Sequence, residues 1–100
     1  MRYELSPDAI KDIREIWNYT VDKWGEKQAN NYIKNIFECF EEIIARDVVY
    51  KKLFIDDKEI KLVRHEHHYI FFIVKKDPII VRVLHKKMDF ISALNKRLPV

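Results

Sequence analysis

Residues 59–85, EIKLVRHEHHYIFFIVKKDPIIVRVLH, decide the fold of this chain. They contain three segments rich in β-branched and aromatic residues, at 59–65, 69–75 and 79–85, a composition typical of strands. Short polar stretches separate the segments, and turns this short join antiparallel neighbours. We therefore predict a three-stranded antiparallel meander.

The middle strand is apolar at every position from 70 to 74, which is typical of a strand covered on both faces. A helical hairpin can cover one face. The second face could be covered in two ways. Another polypeptide could pack on it, or a part of the same chain could, either the C-terminal helix or the 47–58 loop. We expect another polypeptide, because two helices leave half of the sheet uncovered and monomeric proteins rarely expose large apolar patches.

The first half of the chain predicts the helical hairpin. Ser6 and Pro7 form a helix start, and apolar residues then recur at steps of three and four as far as Trp24, which is expected in the core. Gly25, the only glycine, marks the bend, because glycine adopts positive φ without steric cost. A second stripe with helical period predicts a helix over 26–46.

Three shorter segments complete the predicted order. Residues 2–5 predict a strand, 47–59 a connecting loop with an extended piece near 48–55, and 88–98 a short helix. The order is β-α-α-β-β-β-α, which describes one α+β domain over residues 1–100 with helices layered on a sheet.

Composition narrows the class of protein. No apolar run approaches the roughly 18–20 residues of a membrane-spanning helix, and the N-terminus lacks the apolar segment of a signal peptide. The single cysteine, Cys39, cannot form an internal disulfide, so we expect a cytoplasmic protein. The net charge is +3, and basic residues dominate 58–97, where contacts with phosphates or acidic partners are expected.

Three histidines, His65, His67 and His68, invite a metal or acid–base interpretation. Strand alternation separates the last two, no cysteine accompanies them, and zinc usually requires four convergent ligands. We therefore predict ordinary turn histidines, with neither a metal nor a cofactor.

A metal-independent ribonuclease needs a base, an acid and cations for the phosphate. Arg64, Arg82 and His85, with Lys61, offer such groups. Alternation divides the last strand into two sets, Arg82, Leu84 and Lys86 on one face and Val81, Val83 and His85 on the other. His85 is therefore expected to point toward the core, which weakens it as a catalyst.

Two stretches resemble a known family. The segments LSPDA at 5–9, IWNY at 16–19 and WGEKQA at 24–29 resemble the N-terminal hairpin of the ParE toxins in the RelE/ParE superfamily. The segment VRVLHKKMD at 81–89 resembles the end of the same family's sheet. The chain departs from many relatives at 47–58, which contains neither the glycine nor the proline of their loop.

The resemblance implies the toxin of a type II toxin-antitoxin pair, held by a cognate antitoxin in a hetero-oligomer. ParE-type members are associated with inhibition of DNA gyrase and RelE-type members with ribosome-dependent cleavage of mRNA; the terminal motif favours gyrase. We then expect a protein without a reaction of its own, whose target-binding residues are Arg64, Arg82, Lys86, Lys87 and Arg97. The alternatives are a ribonuclease using Arg64, Arg82 and His85, and a detoxified relative that binds only its antitoxin.

Overall fold

A computed structural model describes residues 2–96 of the chain. Its elements are β1 (Glu4–Leu5), α1 (Pro7–Trp24), α2 (Glu26–Ile44), β2 (Lys51–Ile55), β3 (Lys58–His65), β4 (His68–Val74), β5 (Pro78–His85) and α3 (Phe90–Lys96). The predicted α+β order is confirmed with one strand more, because the extended piece near 48–55 is β2 and the meander has four strands. The sheet order is β1-β5-β4-β3-β2, parallel only between β1 and β5.

The helical hairpin begins and bends where the sequence predicts. The Ser6 hydroxyl accepts a hydrogen bond from the amide of Ala9 at 3.0 Å and donates one to the carbonyl of Val81 at 2.7 Å, which ties the start of α1 to β5. Gly25 has φ +91° and separates the two helices.

Helix α2 ends at Ile44, two residues before the predicted end. Arg46 follows with φ +59°, a conformation that non-glycine residues adopt only occasionally. Its amide donates to the carbonyl of Ile43 at 3.1 Å, and the amide of Asp47 donates to that of Glu42 at 2.9 Å. This pair of bonds closes a helix end that is usually built with glycine at the position of Arg46.

The helical hairpin packs on one face of the sheet. Ile36 and Phe40 of α2 are fully buried there against residues of the central strands, including Ile70 and Phe72. Cys39 belongs to the same cluster, and burial raises the pKa of its thiol to about 11. The thiol therefore stays protonated, which indicates a packing role.

The second face of the sheet is covered by the chain's own α3. Leu94 is completely buried there, beside Phe71, Val81 and Leu84, which are all at most 2% exposed. Phe90 stacks obliquely on Phe71, with 5.3 Å between ring centroids. The expectation of an open face reserved for another polypeptide is thus wrong, and the alternative of a C-terminal helical cover is right.

A bulge in β5 overturns the predicted division of that strand into two faces. Phe72 pairs with Ile80, but its neighbour Phe71 pairs with Arg82, so Val81 is an extra residue. Beyond the bulge Val83 faces the helices, whereas Val81 and Leu84 both lie in the second core. Because one extra residue reverses side-chain alternation, Val81 and Val83 do not share a face as predicted.

Candidate functional site

A groove of about 790 Å³ opens at one end of the sheet, between the α1–α2 bend, the β3–β4 turn and the end of β5. We call it the sheet-end groove. The helical wall of the groove is formed by Asp12, Glu15, Ile16, Tyr19, Thr20, Trp24, Gln28 and Tyr32. The sheet wall includes Glu66, His67, His68, His85, Lys86, Lys87 and Met88. Aromatic rings, imidazoles, ammonium groups and carboxylates thus line one concave surface.

Large apolar side chains of the sheet-end groove face solvent. Trp24 is 66% exposed, Tyr19 58% and Met88 49%. The prediction that Trp24 lies in the core is wrong, because its ring packs edge-on against the exposed Tyr19, with 6.4 Å between centroids, and not against the core clusters. Exposed apolar residues that share a groove are typical of a docking surface.

The histidines meet α2 on the floor of this groove. The Tyr32 hydroxyl lies 2.6 Å from Nδ1 of His68, whose ring packs edge-on against His85 at 5.4 Å between centroids. Burial, reinforced by His85, His67 and His65, lowers the pKa of His68 to about 4, so that imidazole is neutral near pH 7. Burial raises the pKa of Tyr32, so its hydroxyl keeps its proton and donates a hydrogen bond to the neutral imidazole of His68.

Stability should fall in mild acid because of His68. Its folded pKa lies below the ordinary 6.5, so as pH falls from about 6.5 toward 4 the unfolded chain binds a proton that the folded chain excludes. Since the side chain is partly exposed, we expect a loss of about 1–2 kcal/mol from this residue. Urea unfolding at several pH values should show a shallower pH dependence for His68→Asn, which keeps an acceptor for Tyr32.

The control for this prediction is His67→Asn, because His67 is exposed. It should change the pH dependence less than His68→Asn does, because His67 only reinforces a lowering of the His68 pKa that burial dominates. Equal slopes for wild type and His68→Asn would mean that His68 does not titrate as described.

Arg82 is held inside the fold. Its Nε and Nη2 donate to the two carboxylate oxygens of Asp12 on α1 at 2.8 and 2.9 Å, and Asp12 also accepts the amide of Val83 at 3.0 Å. Strand β1 ends at Leu5, so the edge of β5 beyond Ile80 has no strand partner and the carboxylate takes its place. Two nitrogens of the Arg82 guanidinium, Nε and Nη2, are thus engaged by the Asp12 carboxylate.

The other predicted site residues lie in different places. His85, Lys86 and Lys87 line the sheet-end groove, and the amide of Lys87 donates to Nδ1 of His85 at 3.1 Å. Arg64 is exposed on β3, outside the groove lining, and its Nε donates to the carbonyl of Glu66 at 3.3 Å. Arg97 lies outside the described residues.

Sequence reasoning missed three contributors to this region. Asp12 carries no local signal, because its partner Arg82 is 70 positions away. Trp24 was assigned to a core stripe, although its position directly before Gly25 marks it as belonging to the hairpin tip. Tyr32 was assigned to the stripe of the second helix and does pack against the core, but its contact with His68 was not predicted. Within residues 2–96 no three His, Cys, Asp or Glu side chains are arranged to hold a metal ion.

The fold defines the class of protein. A structure titled as a chromosomal ParDE TA system from P. aeruginosa superposes with a TM-score of 0.73 at 19% identity, covering 85% of this chain and 95% of that one. The class is that of small α+β proteins in which a helical hairpin packs on a meander sheet.

Sequence comparison then assigns the family. Residues 3–90 match the model of the ParE toxin of type II toxin-antitoxin system, parDE. Toxin ParE of Escherichia coli is 30% identical, with 96% of this chain and 95% of the relative covered. Toxin ParE1 of Mycobacterium tuberculosis is 31% identical, covering 88% of this chain and 92% of the relative. This chain belongs to the ParE toxin family of type II toxin-antitoxin systems.

Among the described residues, no helix is both long and apolar enough to cross a membrane.

Proposed function

We propose that this toxin inhibits DNA gyrase by binding through the sheet-end groove, and that a cognate antitoxin neutralises it by occupying that groove. The observation that supports this most is the pairing of an exposed aromatic wall with two lysines, Lys86 and Lys87, that form no ion pair with any described residue. Such a surface suits a protein partner that is both apolar and acidic. The proposal implies a cytoplasmic protein, because gyrase acts there.

The occupied state of Arg82 favours binding over catalysis. A ribonuclease would need this guanidinium for phosphate, but its hydrogen bonds go to Asp12. His85 already accepts a hydrogen bond at Nδ1 from the amide of Lys87, which leaves only its Nε2 for a substrate. We therefore assign target binding to Lys86 and Lys87, and place Arg82 among the residues that support the fold.

The proposed antitoxin surface is the groove and not the second face of the sheet, because α3 covers that face. Near the family's terminal motif, Tyr19, Trp24 and Met88 form an exposed apolar wall. An amphipathic antitoxin segment with acidic residues fits both this wall and the lysines.

Growth of an expressing strain tests the proposal in cells. Wild-type toxin should arrest growth and induce a DNA-damage response, and the cognate antitoxin should restore growth. Lys86→Ala with Lys87→Ala should relieve the arrest, because the pair contributes charge to the target-binding surface. Lys51→Ala with Lys52→Ala is the matched control, since these lysines are exposed on β2 and their loss changes the net charge equally.

Two outcomes would contradict the proposal. Equal toxicity of the two lysine double variants would exclude Lys86 and Lys87 from the target-binding surface. Growth arrest without a DNA-damage response, accompanied by cut transcripts, would favour the ribonuclease alternative.

A further inference from the structure

A second cavity, of about 650 Å³, lies at the opposite end of β4 and β5 from the sheet-end groove. It opens between the end of α2, the segment before β2 and the β4–β5 turn. Four basic residues line this cavity: Arg2, Arg46, Lys61 and Lys76. One acidic residue, Asp77, lies among them. The floor is largely apolar and includes Ile43, Ile44, Tyr50, Phe72 and Val74. We call it the basic pocket.

The charge of the basic pocket is uncompensated. Its four cations and one acid sum to +3, which equals the formal net charge of the whole chain. Neither ion pair of the described residues involves these cations, since one joins His65 to Glu66 and the other Arg82 to Asp12. Like charges gathered without an acidic counter-charge beyond Asp77 repel one another, so the arrangement favours an anionic ligand.

Arg46 adds an independent observation. It occupies the left-handed position after α2, where glycine is the usual residue and a side chain costs conformational free energy. A residue held in an unfavourable conformation often serves a function that the preferred residue cannot supply. Here the arginine contributes a guanidinium to the rim of the basic pocket.

The floor of the pocket provides a flat ring. Tyr50 is 41% exposed, packs edge-on against Phe72 with 6.2 Å between centroids, and carries Nζ of Lys61 over its ring at 4.9 Å from the centroid, a cation–π contact. An aromatic ring beside Arg and Lys side chains is the combination that binds single-stranded nucleic acid, because bases stack on the ring while phosphates contact the cations. An acidic peptide would use the cations but leave the ring without a stacking partner.

From these observations we infer that the basic pocket binds the phosphate backbone of a single-stranded nucleic acid, with a base stacked on Tyr50 where the Lys61 ammonium now lies and that ammonium turned to a phosphate. This inference does not depend on the gyrase proposal, because the pocket shares no lining residue with the sheet-end groove. It adds a nucleic-acid contact to a protein whose proposed partners are proteins.

Arg46→Gly is the most informative variant, since it removes the cation and places the preferred residue at φ +59°. Fluorescence anisotropy of a labelled oligothymidylate at low salt should show binding weakened about five- to tenfold, and the salt dependence of log Kd should lose a slope of about 0.7, the value for one phosphate contact on a single strand. The melting temperature should stay equal or rise. Lys34→Ala, an equal loss of charge on the exposed side of α2, should change binding less than about twofold.

The β4–β5 turn supplies a second matched pair. Lys76 lines the pocket and its neighbour Lys75 does not, so Lys76→Ala should weaken oligothymidylate binding several-fold more than Lys75→Ala. Asp77→Asn should strengthen binding, because it removes the single acid from the lining.

Three results would overturn the inference. Equal losses for Arg46→Gly and Lys34→Ala would show that binding follows net charge and not the pocket. Tighter binding of polyglutamate than of oligothymidylate would identify an acidic peptide as the ligand. An absence of oligothymidylate binding by the wild-type protein at low salt would exclude the site.

Discussion

Replacement of Asp12 by alanine should lower the free energy of unfolding by about 3–5 kcal/mol, the range typical of removing one partner of a buried ion pair. Asp12 is 7% exposed and Arg82 19%, so the guanidinium would lose its counter-charge in a poorly solvated place. The amide of Val83 would lose its acceptor as well. Urea or thermal unfolding measures the change, and the melting temperature should fall by more than about 10 °C.

Asp22→Ala is the matched control for Asp12, because Asp22 is exposed on the same helix. We expect it to change stability by less than about 0.5 kcal/mol. If Asp12→Ala were as stable as the wild-type protein, Arg82 would not have the structural role assigned to it. It would then again be a candidate target-binding residue.

The second large effect is expected at Leu94. Its replacement by alanine should cost about 2–5 kcal/mol, because the side chain is completely buried in the second core and truncation leaves a cavity. Helix α3 has seven residues and depends on such packing, since helices this short are marginal alone. Chemical denaturation should therefore show an early transition or a general loss of stability.

Ile91→Ala serves as the control within α3, because Ile91 is 47% exposed. It should be nearly neutral. If Leu94→Ala and Ile91→Ala were equally mild, α3 would not close the second face of the sheet, and that face would again be available to a partner chain.

Local patterns in the sequence predicted most of the elements. The three apolar segments of 59–85 form strands, and Gly25 bends the hairpin, because alternation, helical period and positive φ depend on neighbouring residues. The extra strand β2 was less evident, since a five-residue edge strand with two lysines at its start has a weak pattern.

Features that depend on contacts between residues far apart in the chain could not be predicted from these local patterns. The bulge at Val81 reverses the side-chain faces of β5 without any glycine to mark it, so Arg82 was assigned to the wrong surroundings. Its partner Asp12 stands on another element, and the cover over the second face depends on Leu94 in a short helix. Of the candidate site, His85, Lys86 and Lys87 were predicted to lie near the end of the sheet, whereas the aromatic wall facing them was not.

The most direct test of a toxin that acts by binding is a supercoiling assay with purified gyrase. Wild-type protein should inhibit supercoiling in a dose-dependent manner, with Lys86→Ala/Lys87→Ala much weaker than Lys51→Ala/Lys52→Ala. Undiminished supercoiling at saturating concentrations of folded wild-type protein would contradict the account.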